Sequence, residues 1–390
     1  MIGISAHSSV SAAGFNKTEI INAYFCQSES FIKKNHFIPS EYCAGINNTG
    51  DLALKAFLKI HTKYQKLDKS VQFAILCADK LIEKIDLNKK TGVNIGSSRG
   101  TTQTLENAYE RFINDGKAPF LTSPLTTMGN VASNVARHLQ LNGPAFSHSI
   151  TCSTAMQSLL NAYQWIKAGD VSSFVVGGTE APLTKFTISQ MRSLGIYKPE
   201  INDKYPSNPL SLNNCHNNMI LGEGAACFLL EHKEPSQKNA FCAILDGMGF
   251  SMENAPSMTG ITKEGTALSE SMNMALSKSA TKEPIDLIIL HAPGTKNGEM
   301  SEINAIKNVF KDHLPALYSN KWLIGHTLGA SGALSLDLAI HCLNESKVPE
   351  LPYPNISPKY NGPVKKVLIN TIGFGGNAVS AIISHPSLFN

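Results

Sequence analysis

The sequence predicts an α/β protein made of two similar halves, each with strands buried beneath helices. Three observations carry that expectation. A strand, a glycine-containing loop and an amphipathic helix occur together twice. A strand, a tight turn of small residues and a long apolar helix also occur twice, in the same order, and each half then closes on a β-rich run. Strands alternating with helices imply layers in which sheets are covered on both faces, and self-similarity over this distance points to duplication.

The first repeated unit reads Thr91-GVNIGSSRGTT followed by QTLENAYERF; its counterpart reads LIILHAPGT followed by MSEINAIKNVF. Both set Gly-Thr, Gly100-Thr101 and Gly294-Thr295, just before the helix. The second unit reads AFSHSITC then STAMQSLLNAYQWIKAGDV, against ALYSNKWLIGHTLGASGALSLDLAIHCLNESKV. Met156, Leu159, Leu160, Tyr163 and Ile166 recur at the three- and four-residue spacing of a buried helix face. Cys152 and His326 occupy corresponding turns. The closing runs are FVVGGTEA and VLINTIGFGG. The expected halves are residues 1–235, with the candidate nucleophile, and 236–390, with two candidate histidines. Residues 197–218 and 251–265 read as long loops, which in a compact protein commonly wall or cover a site.

Composition narrows the function classes. The 390 residues are 42% hydrophobic and 16% charged, as in a chain with a large core. No stretch approaches the roughly 18 apolar residues of a membrane helix, and the N-terminus lacks a basic region followed by an apolar run. A cytoplasmic protein without membrane insertion is the expectation. The eight cysteines form no C-x-x-C pair, so neither a disulfide framework nor a metal site is indicated. The net charge of +4 is dispersed and lacks aromatic interleaving, which gives nucleic-acid binding no support.

The chemistry-bearing residues sit at turns. Cys152 lies where a strand ends and a helix begins, flanked by Thr151, Ser153, Thr154 and Ala155. A helix start is expected to lower a thiol's pKa and to offer free N–H groups to an oxyanion. His291 ends a very apolar strand and precedes Ala292-Pro293-Gly294-Thr295; His326 stands in Gly325-His326-Thr327; beyond it comes Gly373-Phe374-Gly375-Gly376, whose glycines allow close backbone approach to a ligand. Singly, each histidine reads as a core residue. Together with Cys152 they form a constellation.

These residues resemble the elongating β-ketoacyl-acyl-carrier-protein synthases, along nearly the whole chain. The nucleophile turn of that family is similar to Ile150–Ala155, its first histidine motif to His291–Thr295, and the acid on the following helix to Glu302. Its lysine five residues before the second histidine matches Lys321. Its Gly-His-x-x-Gly-Ala-x-Gly-Ala matches Gly325 to Ala333, its Leu-Gly-Glu-Gly-Ala matches 221–225, and its Gly-Phe-Gly-Gly matches 373–376. The resemblance implies a thiolase-like fold in a five-layered αβαβα arrangement. It also implies decarboxylative Claisen condensation: Cys152 as nucleophile, His291 and His326 acting on a malonyl thioester, and Lys321 and Glu302 orienting the histidines and the local field. The backbone amides of Cys152 and Phe374 would form an oxyanion hole. Thr295, Arg99, Gly373, Gly375 and Gly376 would contact substrate. No cofactor or metal of its own is implied, since substrates arrive on the phosphopantetheine of an acyl carrier protein. The partners implied are that carrier and a second subunit, identical or a homologous chain-length factor. A histidine at 326, where chain-initiating synthases carry Asn, and the absence of any Cys after Cys342, unlike degradative thiolases, favour elongation.

Several positions depart from the family. An Asp-x-x-Arg-Asp-Gly-Phe network is replaced by the neutral run Asn213–Met219, and Pro293 stands where a threonine contacts the pantetheine arm, leaving Thr295. The glycine loop runs directly into Asn377-Ala378 without the usual threonine. Such divergence is closest in character to type II polyketide and aryl-polyene ketosynthases, with housekeeping fatty-acid elongation as the alternative. A non-catalytic chain-length factor would have lost the nucleophile, and Cys152, His291, His326 and Lys321 are all present. Arg99 matches a position that is commonly apolar and faces the acyl tunnel. It either enters that tunnel, where it would disfavour a flexible saturated chain and stack on a conjugated one, or turns away or pairs with a carboxylate.

Overall fold

The computed structural model describes residues 1–389 except 28, 35–41, 84, 86, 199–203, 213–215, 255–256 and 258. Asn213, Asn214 and Cys215 thus lie outside the described residues, as does part of each long loop. Ten strands form the main sheet: β1 (Ile2–Val10), β2 (Gly92–Gly96), β3 (Ala145–Phe146), β4 (Ser173–Glu180) and β5 (Gly224–His232), then β6 (Ala243–Met252), β7 (Leu287–Ile289), β8 (Ala316–Tyr318), β9 (Lys366–Ile372) and β10 (Asn377–Ser384). Their order is β8-β7-β9-β10-β6-β1-β5-β4-β2-β3. Each strand of the first five has its counterpart at the same place and in the same direction among the second five. β2 runs parallel to β3 and β4, as β7 does to β8 and β9. β4–β5–β1 and β9–β10–β6 are antiparallel. The two sets meet where Gly3 and Ile4 of β1 pair with Ile244 and Ala243 of β6.

Six helices build the layers: α1 (Lys69–Ile82), α2 (Asn130–His138), α3 (Thr154–Ala168), α4 (Thr266–Lys278), α5 (Lys296–Phe310) and α6 (Ser331–Glu345). Successive strand side chains point to opposite faces, and the cores divide accordingly. Val175 joins an outer cluster with Val71, Ile75 and Val131 of α1 and α2, while its neighbour Val176 joins a central cluster with Met156 and Leu159 of α3 and Leu336 and Ile340 of α6. On the other side Ile369 faces that central cluster and Leu368 faces a third, with Leu268 and Met272 of α4 and Ile306 of α5. The two five-stranded sets of the one sheet thus form two layers with helices between and outside them, a thiolase-like α/β arrangement. Residues Ser331 to Leu343 of α6 are all buried, as a helix apolar all round must be in the middle layer.

One polar network crosses the central layer. His7 Nδ1 of β1 lies 2.7 Å from Asp337 Oδ1 of α6, Ser9 Oγ donates to Asp337 Oδ2 at 2.8 Å, and His341 Nε2 stands 3.6 Å from the same oxygen. Burial would raise the Asp337 carboxyl, but the His341 and His7 imidazoles outweigh it and hold it well below the usual carboxylate range.

Candidate active site

Cys152 sits two residues before α3, on a turn that only a left-handed Thr151 permits (φ 47). Gly373 makes room for that turn. A β-carbon at 373 would collide with Thr151 Oγ1 and stand 3.2 Å from Cys152 N, so the Gly373–Gly376 loop can press against the Cys152 turn only because it begins with glycine. Among the described residues no carbonyl accepts from Cys152 N–H or Phe374 N–H. Both residues line the same cavity, with their amides left without a main-chain acceptor.

His326 is brought to Cys152 from the other half of the chain. Its Nε2 lies 3.2 Å from Cys152 Sγ. The segment Ile220–Gly222 holds its main chain on both sides: His326 N donates to Ile220 O at 2.6 Å, and Gly222 N donates to His326 O at 3.0 Å. His291, just past β7, stacks edge-on to His326 with ring centroids 5.2 Å apart at 85°. Glu302 of α5 fixes it through the backbone, accepting from His291 N at 2.9 Å and Ala292 N at 2.8 Å. Asn217 and Asn218, part of the neutral run, fasten the same motif: Lys296 N donates to Asn217 Oδ1 at 3.0 Å and Asn218 N to Gly294 O at 2.6 Å.

The charge states follow from burial. Cys152, His291, His326, Lys321 and Glu302 are all buried. Desolvation disfavours every charged form. It pushes the Cys152 thiol up to about 12, aided by the Glu180 carboxylate and only partly offset by Lys321. This corrects the expectation of a lowered thiol: burial and then the Glu180 carboxylate set the direction. Burial, then Lys321, pushes His326 down to about 3; burial, then His326 and Lys321, holds His291 well below its ordinary value. Both imidazoles are neutral near pH 7. Burial also brings Lys321 down to about 8, with Glu302 and Cys152 opposing the shift. Lys321 Nζ contacts Leu290 O at 3.4 Å and Ser335 Oγ at 3.3 Å, which ties it to the chain just before His291. The sulfur and the ring nitrogens of Cys152, His291 and His326 lie within 4.8 Å of one another, a donor set that could also hold a soft metal ion.

A cavity of about 510 Å³ opens onto this trio. Its walls carry Thr295, Gly373, Phe374 and Arg99. Gly375 and Gly376 are not on them; with φ of 84 and 77 they turn the chain back into β10. Thr259, Gly260 and Ile261 from one long loop and Asn217 from the other are on the wall, as the loops' length led one to expect. Arg99 faces the cavity and pairs with an amide instead of a carboxylate: Nη2 donates to Gln190 Oε1 at 2.6 Å, and its Nε is buried without a partner. Nothing in the sequence pattern pointed to Gln190 as the partner of Arg99, or to Met191, Leu194 and Ile196 on the wall. Glu180 was also missed, and the signal was an acid in the otherwise apolar and small run FVVGGTEA.

The β-ketoacyl synthase N-terminal domain matches residues 28–236 and the β-ketoacyl synthase C-terminal domain matches residues 242–353. The chain belongs to the β-ketoacyl synthase family. This β-ketoacyl synthase is 28% identical over 347 residues to 3-oxoacyl-[acyl-carrier-protein] synthase 2 of Staphylococcus aureus (strain COL), covering 81% of each chain. It is 25% identical over 352 residues to the granaticin polyketide putative β-ketoacyl synthase 1 of Streptomyces violaceoruber, covering 83% of each. Relatives of both kinds are acyltransferase-type condensing enzymes. Solved structures share the fold. One is a type II polyketide acyl-carrier protein in complex with its ketosynthase bound to the hexaketide (TM-score 0.83, 20% identity, 98% of both chains). Another is a ketosynthase in complex with its chain length factor from Xenorhabdus doucetiae (TM-score 0.74, 22% identity, 98% of this chain and 97% of that one). Among the described residues no helix is long and apolar enough to cross a membrane.

Proposed function

We propose that this β-ketoacyl synthase joins a Cys152-bound acyl group to a malonyl unit carried by an acyl carrier protein, in a specialised polyene or type II polyketide pathway. The observation that carries the reading is the Cys152 Sγ to His326 Nε2 contact of 3.2 Å beside a second neutral imidazole, His291, in one cavity. In the first half-reaction the sulfur of Cys152 bonds to the acyl carbon and the bond from that carbon to the carrier's sulfur breaks. The cysteine proton, passed by way of His326, leaves with the carrier thiol. The Cys152 and Phe374 N–H groups face the intermediate's oxyanion, a contribution of about 3–4 kcal/mol for one well-placed donor.

In the second half-reaction His291 and His326 donate N–H groups to the malonyl thioester oxygen. The bond to the terminal carboxylate breaks, carbon dioxide leaves, and the electron pair remains as an enolate. Its carbon attacks the acyl carbon, expelling Cys152 as thiolate, which takes a proton from solvent. Neutral imidazoles suit this role because they stabilise the enolate oxygen without a competing charge. Lys321 adds a positive field, and Glu302 positions His291.

Arg99 supports the specialised pathway. It is the one Lys, Arg, Asp or Glu among the described residues of the cavity wall, where a flexible saturated chain would meet a charge held only by the Gln190 amide and a planar conjugated one could lie against it. We take Thr295 as a contact for the carrier's pantetheine arm, and no cofactor of the protein's own is invoked. An acyl carrier protein and a homologous or identical second subunit are the partners we infer. Supporting the latter, Leu105, Tyr109 and Phe112 line one exposed side of helix Thr102–Asp115, and Phe120 is 97% exposed. β3 pairs only with β2 among the described strands, leaving an edge open. The reaction is assigned to the cytoplasm, and the halves 1–235 and 236–390 to the nucleophile and the histidines.

Intact-mass spectrometry tests the reading. Incubation with an acyl-carrier-protein thioester should add one acyl group, absent in Cys152→Ala. His291→Ala should keep the adduct and His326→Ala should form it more slowly, while both lose decarboxylation by at least about 100-fold. An adduct persisting on Cys152→Ala would sink the assignment.

A further inference from the structure

Glu180 ends β4 wholly buried, and its carboxylate faces donors only. From the loop after β2, Ser97 Oγ donates to Oε1 at 2.8 Å, Ser98 N to Oε2 at 2.8 Å and Arg99 N to Oε1 at 3.1 Å. From the other half of the chain, Gly329 N donates to Oε2 at 2.9 Å. No lysine or arginine forms an ion pair with it among the described residues. The two donor segments also touch each other. A β-carbon at Gly329 would collide with Ser98 N and stand 2.7 Å from Glu180 Oε2. Ser98 and Arg99 are on the cavity wall, and Gly329 lies three residues after His326 in the turn that delivers it to Cys152.

We propose that Glu180 is a positioning residue that clamps the Ser97–Arg99 loop to the His326–Gly329 turn, so that the acyl-binding wall and the catalytic histidine keep one fixed relation. The proposal rests on the roles given above to Cys152 and His326. The clamp needs all four lone-pair positions of a carboxylate, which two oxygens can supply. An amide offers two acceptor positions and turns the others into donors. Burial pushes the carboxyl up to about 7 while the four donors pull it down, which is the balance expected of a carboxylate retained in the interior for its geometry. Its charge also opposes the Cys152 thiolate, so it works against the nucleophile electrostatically while it holds the nucleophile's partner in place.

The test compares the full-length protein with Glu180→Gln and Glu180→Ala in three measurements. These are acyl transfer to Cys152 by intact mass, decarboxylation of a malonyl thioester without acyl donor, and amide hydrogen exchange. The clamp predicts that exchange rises by at least about tenfold at Ser98, Arg99 and Gly329 and stays unchanged in α1 and α4. Both half-reactions should fall at least about tenfold in Glu180→Ala, with Glu180→Gln recovering part of the loss. Unchanged exchange at those amides in both variants overturns the proposal. So does a uniform rise across the protein, which would mark Glu180 as a general stability residue, or a loss confined to one half-reaction. The exchange arm does not use the reaction. If the acyl adduct proves to lie elsewhere than Cys152, the catalytic reading falls while local exchange still decides the clamp.

Discussion

Replacing Glu302 by Gln separates the two half-reactions. The carboxylate accepts from His291 N at 2.9 Å and Ala292 N at 2.8 Å, and it is buried. Ala292 is held at φ 21, a conformation that an untethered alanine would leave. Glutamine keeps one oxygen for one of the two amides and turns an NH2 group toward the other. One buried hydrogen bond to a charged group is lost, about 1.5–3 kcal/mol, and the main chain under His291 relaxes. If that displacement is felt in the transition state, it corresponds to roughly 10- to 100-fold in rate. Carbon dioxide release from a malonyl thioester should fall by that factor, while acyl transfer to Cys152, whose contact is with His326, should stay within about threefold. Decarboxylation within about twofold of wild type would show that the backbone grip on His291 does not matter to catalysis.

In the free protein, Cys152 should react slowly with iodoacetamide at pH 7. Because the thiol is pushed up to about 12, the rate should climb about tenfold per pH unit through pH 7 to 8, since the thiolate is the nucleophile. Above about 8 the climb becomes shallower, as Lys321 gives up its charge; a plateau below pH 8 would contradict the burial argument. Asp337→Asn should lower stability by about 3 kcal/mol or more at pH 7, as breaking a buried charged network does. The carboxyl is held below its unfolded value of about 3.9, so its contribution is complete above about pH 5 and disappears as pH falls through the lower folded value. An unchanged denaturant midpoint at pH 7 would remove the network from the stability argument. Arg99→Ile should raise turnover of long saturated acyl chains relative to conjugated ones; an unchanged ratio across both substrate sets would take Arg99 out of selectivity.

The local pattern of the chain was enough to determine its plan. The β-rich runs FVVGGTEA and VLINTIGFGG mark strands, and the three-four spacing from Met156 to Ile166 marks a helix because its backbone repeats about every 3.6 residues. Small residues around Cys152 and glycines at 325 and 373 marked the turns, since steric freedom is a property of the residue itself. Resemblance then named the trio. What the tertiary structure alone decided was long-range. Glu180 meets Gly329 at a sequence separation of 149, and Arg99 meets Gln190 at 91, distances over which no periodicity carries information. The charge states were hidden for the same reason. A helix start is visible in sequence, but the burial that pushes Cys152 up and His326 down arises only when both halves close over the cavity and exclude water.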